Sequence, residues 1–253
     1  MKMGTVFCLE QLKLRRRGIP LLFTAVFLLI ALWMEWAFEE SDAGTINDQR
    51  IMIYLNLLLM TTILVPIALA ALASRLCDME QLGNTYKWIC TIEEPGRIYQ
   101  GKVLTGGIYL TFLSILECAV FEVLSVPAGG ASWLRGFQLF FTLFLTGISI
   151  FILQLNLSLR FYNQLTPIFI SIGGTFAGLF SWFLPNTPLR YVIPWGYYGV
   201  LCNAGYIYDE AKRYTTCYWT SYRAGWAAFL LLVALFLYSK GRKSFLWMIR
   251  ETI

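Results

Sequence analysis

Six long apolar runs, joined by short polar connectors, fill almost the whole of this chain and make the bilayer the solvent in which it folds. They cover residues 19–38, 51–73, 103–124, 137–159, 165–184 and 218–238. A helix crossing the hydrocarbon core needs about 20 apolar residues, and each run has that length. Lipid offers no partner to an open backbone, so only helices or closed barrels can span it. These runs are too long and too little alternating for barrel strands. The expected fold class is therefore an all-α integral membrane protein with six transmembrane helices. With 58% hydrophobic and 14% charged residues, little remains for an extramembrane domain. Residues 1–253 read as a single transmembrane domain. The first run lacks a small-residue cleavage site and reads as a retained helix.

The orientation follows from the distribution of charge. The N-terminus, the connectors after the second and fourth runs, and the C-terminal tail carry fourteen Lys and Arg; the other side carries six. The richer side is cytoplasmic, which gives an N-in, C-in chain. The net charge of +5 therefore marks a membrane orientation and does not point to nucleic acid. Lys13 to Arg17 and Lys240 to Lys243 fall where anionic headgroups lie.

The segment Glu10-Gln-Leu-Lys-Leu-Arg-Arg-Arg17 is short, basic and partly amphipathic, and predicts a helix on the inner membrane surface. Pro66 predicts a kink in the second span. In the connector after that span, Asp78-Met-Glu-Gln81 has the form of a capping box. Met79, Leu82, Tyr86 and Ile89 follow at helical spacing, and Pro95-Gly96 ends the element. These signals predict one short amphipathic cytoplasmic helix over about 79–90. Pro185, Pro188, Pro194, Trp195 and several Tyr predict a broken, re-entrant segment over 191–204 at the outer interface. The tail 240–253 reads as a further inner-surface helix.

The chain contains no His, which removes His-based general bases and triads and most zinc sites. It has no G-x-x-x-x-G-K-[ST] loop and no G-x-G-x-x-G after a strand. It is not expected to be an enzyme, and any ATP-driven step belongs to another polypeptide. Glu35, Glu117 and Glu122 lie at membrane depth in the outward halves of their spans. Each is a candidate for a substrate path; the alternative for Glu35 and Glu122 is to snorkel to the interface or pair with Arg135, Arg190 or Arg223, and for Glu117 to be a structural partner within the bundle. Glu117 and Glu122 stand about 140° apart around their helix and cannot face one narrow pore. Gly174 and Gly178 form a G-x-x-x-G, a candidate for close helix packing or a subunit contact. Cys202 and Cys217 share the last external segment and either pair, if the compartment oxidises, or stay free.

Taken together, the Glu-x-x-Lys-Leu-Arg surface helix, six spans and the cytoplasmic element between the second and third resemble the permease subunits of type 2 ABC exporters. The connector residues that carry the resemblance are Glu80, Gly83-Asn84, Lys87-Trp88, Pro95 and Arg97. Pro194-Trp195 before the last span is similar to the lantibiotic-immunity branch. Glu93-Glu94 departs from the pattern, standing where that family carries apolar residues. The resemblance implies a permease domain in a bacterial plasma membrane. It implies a second permease, like or unlike, and cytosolic ATPase subunits that hold the ATP and Mg. It also implies a coupling helix, here Met79, Glu80, Leu82, Gly83, Tyr86, Lys87 and Ile89, that docks on the ATPase. In the immunity branch the substrate is a cationic antimicrobial peptide. Export of another drug, lipid or polysaccharide, and a scaffold or sensor without transport, remain open alternatives.

Overall fold

A computed structural model describes residues 3–39, 46–83, 85–127, 129–130, 132–184, 187–209 and 214–252. Lys2, residues 40–45 between the first two spans, Asn84, Pro185, Lys212 and Arg213 lie outside the described residues, as does the side chain of Lys87. Six helices are long and apolar enough to cross a membrane.

The amphipathic helix α1 (Met3–Arg16) precedes the first span α2 (Ile19–Glu39). Between them Gly18 takes a φ of +70°, open to residues without a Cβ, and so lets the chain turn into the bilayer. Leu14 and Ile19 bury on either side of that turn. Next come α3 (Ile46–Leu82), a short α4 (Tyr86–Ile92), α5 (Pro95–Ser125), α6 (Trp133–Arg160) and α7 (Leu165–Phe183). The chain ends in α10 (Ala224–Thr252), after the outer elements described below.

Two helices make the centre. In α3, 67% of the apolar window is buried within the protein, and in α6 56%. The other four bury 22–28% and turn the rest to lipid, which solvates apolar side chains as well as a neighbouring helix does. Small residues bring α5 close to α6. Gly106 receives the ring of Phe151, and Gly147 receives Leu110. Hydroxyls inside the bundle return to their own helix, as Thr62 does to the Leu58 carbonyl (2.7 Å) and Ser149 to that of Leu145 (2.7 Å). α3 runs unbroken through Pro66, whose carbonyl accepts the Ser171 hydroxyl of α7 (2.9 Å).

The outer cap contains the broken segment expected over 191–204. After α7 come α8 (Leu189–Val192), a 3₁₀ turn (Pro194–Gly196) and α9 (Tyr197–Val200), with Trp195, Tyr197 and Tyr198 buried. Then β1 (Ala204–Asp209) and β2 (Tyr214–Trp219) pair antiparallel, Tyr206 opposite Cys217. The sequence reading missed this hairpin. Its Tyr, Thr and Trp suit a strand as well as a membrane interface. The last span accordingly begins at 224 and not 218. Its helix also continues to 252, so the tail is not a separate surface helix. Phe245 and Ile249 bury its inner face.

Candidate functional site: the cytoplasmic junction and the outer cap

The predicted single helix over 79–90 is two pieces. α3 extends past the membrane to Leu82, and backbone bonds from Gly83 to Met79 (3.2 Å) and Thr85 to Glu80 (3.0 Å) close it. A new helix, α4, starts at Tyr86. The capping-box residues are occupied elsewhere. Asp78 lies near Arg75 (3.5 Å) and Arg17 (3.8 Å), and Gln81 donates to the Ser158 carbonyl (2.9 Å). Tyr86 therefore shares no helix face with Met79 and Leu82. Tyr86 is buried against Phe245, ring centroids 5.8 Å apart, and burial holds its hydroxyl well above its ordinary pKa. Leu82, Trp88 and Ile92 are the exposed apolar residues, and Ile89 is half-buried.

Glu80 faces inward, into a cluster of four charges. Lys13 of α1 lies 3.0 Å from Glu10 and 2.7 Å from Glu80. Lys102 of α5 lies 2.7 Å from Glu80 and 3.4 Å from Glu10, and donates to the Leu76 carbonyl (2.5 Å). Glu10, Glu80 and Lys102 are all buried. Two acids and two bases from three helices thus cancel one another, the condition under which buried charge is tolerated. Beside this cluster a cleft of about 180 Å³ opens between α1 and α4. Val6, Leu9, Trp88, Ile89, Ile92 and Ile98 form its apolar walls, with Glu93 among its lining residues. Sequence reasoning missed Glu10, Lys13 and Lys102. Their signal was a lysine seven residues inside the third long helix, read as part of the positive-inside bias.

At the other end the three membrane acids occupy three different settings. Glu117 is fully buried and accepts the Thr61 hydroxyl (3.3 Å). Glu122 is half-buried and packs on Gly136 of α6. Glu35 is exposed on α2. Among the described residues no Arg or Lys forms an ion pair with any of them. Arg135 lies over the Trp219 ring at 4.4 Å and Arg190 beside Tyr191 at 5.8 Å. Gly174 and Gly178 pack on Trp195 of the 3₁₀ turn rather than on another helix. Cys202 and Cys217 are free. The hairpin register puts Cys217 opposite Tyr206, several residues from Cys202. Burial pushes the Cys202 thiol up to about 11.

The hairpin is docked on the bundle. Asp48 accepts the Cys217 amide (2.9 Å), and Asn203 donates to Gln138 (2.6 Å). Between the hairpin, α3 and the end of α7 lies a groove of about 300 Å³. Met52, Leu55, Leu59, Trp182 and Tyr206 line it, with Asn56 as a polar group.

The family model described as ABC-2 family transporter protein matches residues 6–178. The chain belongs to that family. The match runs from α1 through most of α7 and so contains the whole cytoplasmic junction. No curated protein matches the chain.

This makes the protein the membrane permease component of an ABC transporter, with ATPase activity in a separate subunit. It is a multi-pass membrane protein, and a bacterial plasma membrane fits the family. The permease must meet its ATPase partner at the cytoplasmic end. The hairpin and α10 lie beyond the family match, and the outer groove is lined from both sides of its boundary, by Met52, Leu55, Asn56 and Leu59 within it and by Trp182 and Tyr206 beyond it.

Proposed function

We propose that the permease exports cationic antimicrobial peptides of the lantibiotic type, taking them from the membrane to give self-protection or resistance. It works as a pair with a second permease, like or unlike, over cytosolic ATPase subunits. The observation that carries the reading is the outer groove between α3, α7 and the hairpin. Its apolar and aromatic walls suit the apolar face of an amphipathic chain lying in the outer leaflet, and Asn56 offers a hydrogen bond. Exposed Glu35 adds negative charge on the same side. The similarity of Pro194-Trp195 to the immunity branch supports the same substrate class.

On the cytoplasmic side the docking surface is Trp88 and Ile92, on the cleft between α1 and α4, with exposed Leu82 at the end of α3 beside the α6–α7 turn. Met79, Gly83, Lys87 and Ile89 remain in that region, whereas Glu80 and Tyr86 support it from inside. Two variants test the proposal together. Filling the groove with Leu59→Trp should lower resistance of cells expressing the whole transporter to a lantibiotic, with ATPase association intact. Trp88→Glu with Ile92→Glu should abolish co-purification of the ATPase, with the amount of folded permease unchanged. Full lantibiotic resistance in Leu59→Trp, or equal loss of resistance to apolar drugs, would overturn the peptide reading in favour of another substrate.

A further inference from the structure

The inner ends of α6 and α10 enclose a cleft of about 360 Å³ that the transport reading does not use. Above it the two helices are clamped. Asn156 donates to the Leu237 carbonyl (2.9 Å) and accepts the Tyr99 hydroxyl (2.8 Å). Gly241 makes this approach possible, since a Cβ there would run into both Asn156 and Tyr99. Beyond the clamp lies the cleft, with Leu159 and Arg160 on one side and Ser244, Trp247 and Met248 on the other.

Its level in the bilayer follows from the sequence. Arg160 ends the apolar part of α6, and Lys240 ends that of α10. The cleft therefore lies at the height of the inner headgroups. The exposed Trp247 suits that interface. Directly above, α10 presents Leu232, Leu235 and Phe236 outward as a wall for acyl chains.

The charge is one-sided. Among the described residues no carboxylate pairs with Arg160, Lys240 or Lys243. Lys240 and Lys243 stand one turn above Ser244 and Trp247 on the same helix face. Lys240 lies 5.8 Å from the Phe236 ring and is exposed, so its ammonium can also meet an anion. A guanidinium and a hydroxyl lining a cleft at headgroup height, with two ammonium groups one turn above on α10, match a lipid phosphate whose headgroup brings no cation of its own. Zwitterionic lipid would bring its own cation into this patch.

We propose that the cleft between α6 and α10 binds an anionic phospholipid of the inner leaflet, with Arg160 and Ser244 on its phosphate. The test uses the full-length permease in nanodiscs of phosphatidylcholine doped with phosphatidylglycerol, with lipid retained after detergent extraction read by native mass spectrometry. The wild type should retain phosphatidylglycerol in preference to phosphatidylcholine. Arg160→Gln should lower that retention about five- to tenfold, Arg160→Lys should restore most of it, and Ser244→Trp should fill the cleft and abolish it. Arg16→Gln, a cation of the surface helix away from the cleft, should change nothing. An equal loss in Arg16→Gln would reveal general surface attraction and overturn the proposal. Unchanged retention in Arg160→Gln would overturn it as well. Arg160 is exposed, so its variants fold, and they decide the matter even if Ser244→Trp does not fold.

Discussion

Lys102→Met removes one charge from the buried cluster and leaves its shape nearly intact. In the native protein the ammonium lies 2.7 Å from Glu80 and 3.4 Å from Glu10, with none of its surface exposed. At the effective dielectric that suits protein sites, each attraction is about 5–6 kcal/mol before desolvation. Most of that offsets the cost of removing three ions from water. The measurable quantity is the penalty for leaving two carboxylates with only Lys13, about 3–5 kcal/mol. In thermal unfolding of the detergent-solubilised permease this is a fall on the order of 10 °C. Lys13→Met should cost far less, about 1 kcal/mol, because the Lys13 side chain is 25% exposed and water replaces part of its role. Replacing Glu80 and Lys102 together by Leu should recover much of the loss, since an apolar pair of similar volume leaves no uncompensated charge. If Lys102→Met unfolds at the wild-type temperature, or if the double variant is worse than the single, the cluster does not hold α1, α3 and α5 together as the distances imply.

On a cysteine-free background, a thiol reagent applied from outside should label Thr216→Cys on the hairpin and miss Lys243→Cys on α10; the reverse pattern would invert the assigned orientation. Gly174→Leu should destabilise the permease by about 1–3 kcal/mol through collision with Trp195, while Gly173→Leu, with open space at that position, should not. Cys202 in the folded wild type should react with maleimide slowly at pH 8, where about one thiol in a thousand is ionised, and roughly tenfold faster per pH unit up to about 11; a fast reaction at neutral pH would contradict its burial. Glu117→Gln preserves the bond with Thr61 and should leave lantibiotic resistance near normal, whereas Glu117→Ala should lower the amount of folded protein; loss of resistance at full expression in Glu117→Gln would return this carboxylate to the substrate path.

The spans were legible because about 20 consecutive apolar residues have few other uses, and the surface helix because Glu10 to Arg17 is short, basic and partly amphipathic. The broken outer segment showed itself through Pro194-Trp195, whose neighbours are too apolar for a solvated loop. Three features were not legible, each because a local signal was overruled by a distant partner. Asp78 and Gln81 have the spacing of a helix start, but Arg17, Arg75 and the Ser158 carbonyl take them. Glu80 looks like a solvated residue of an amphipathic helix until Glu10, Lys13 and Lys102 arrive from two other helices. Gly174 and Gly178 have helix-pairing spacing, but the neighbour that fits them is an indole 17–21 residues on. No local pattern encodes such pairings, and the hairpin shares its residue types with any membrane interface.

What joins the two ends of the permease is α3. Its 37 residues rise about 55 Å, enough to cross the bilayer and emerge on the cytoplasmic side. Near its outer end it lends Asn56 to the groove, then Thr61 to Glu117; at its inner end it lends Glu80 to the charge cluster and Gln81 to α6. Apolar side chains in lipid resist sliding only weakly, because one apolar contact replaces another. The buried ions do resist it, since a shift of one helical turn would part Glu80 from both lysines. The cluster therefore fixes the axial position of α3 against α1 and α5. A displacement imposed beside Leu82 reaches Asn56 along the backbone bonds of α3, which lack one amide donor at Pro66, where the carbonyl also takes the Ser171 hydroxyl of α7.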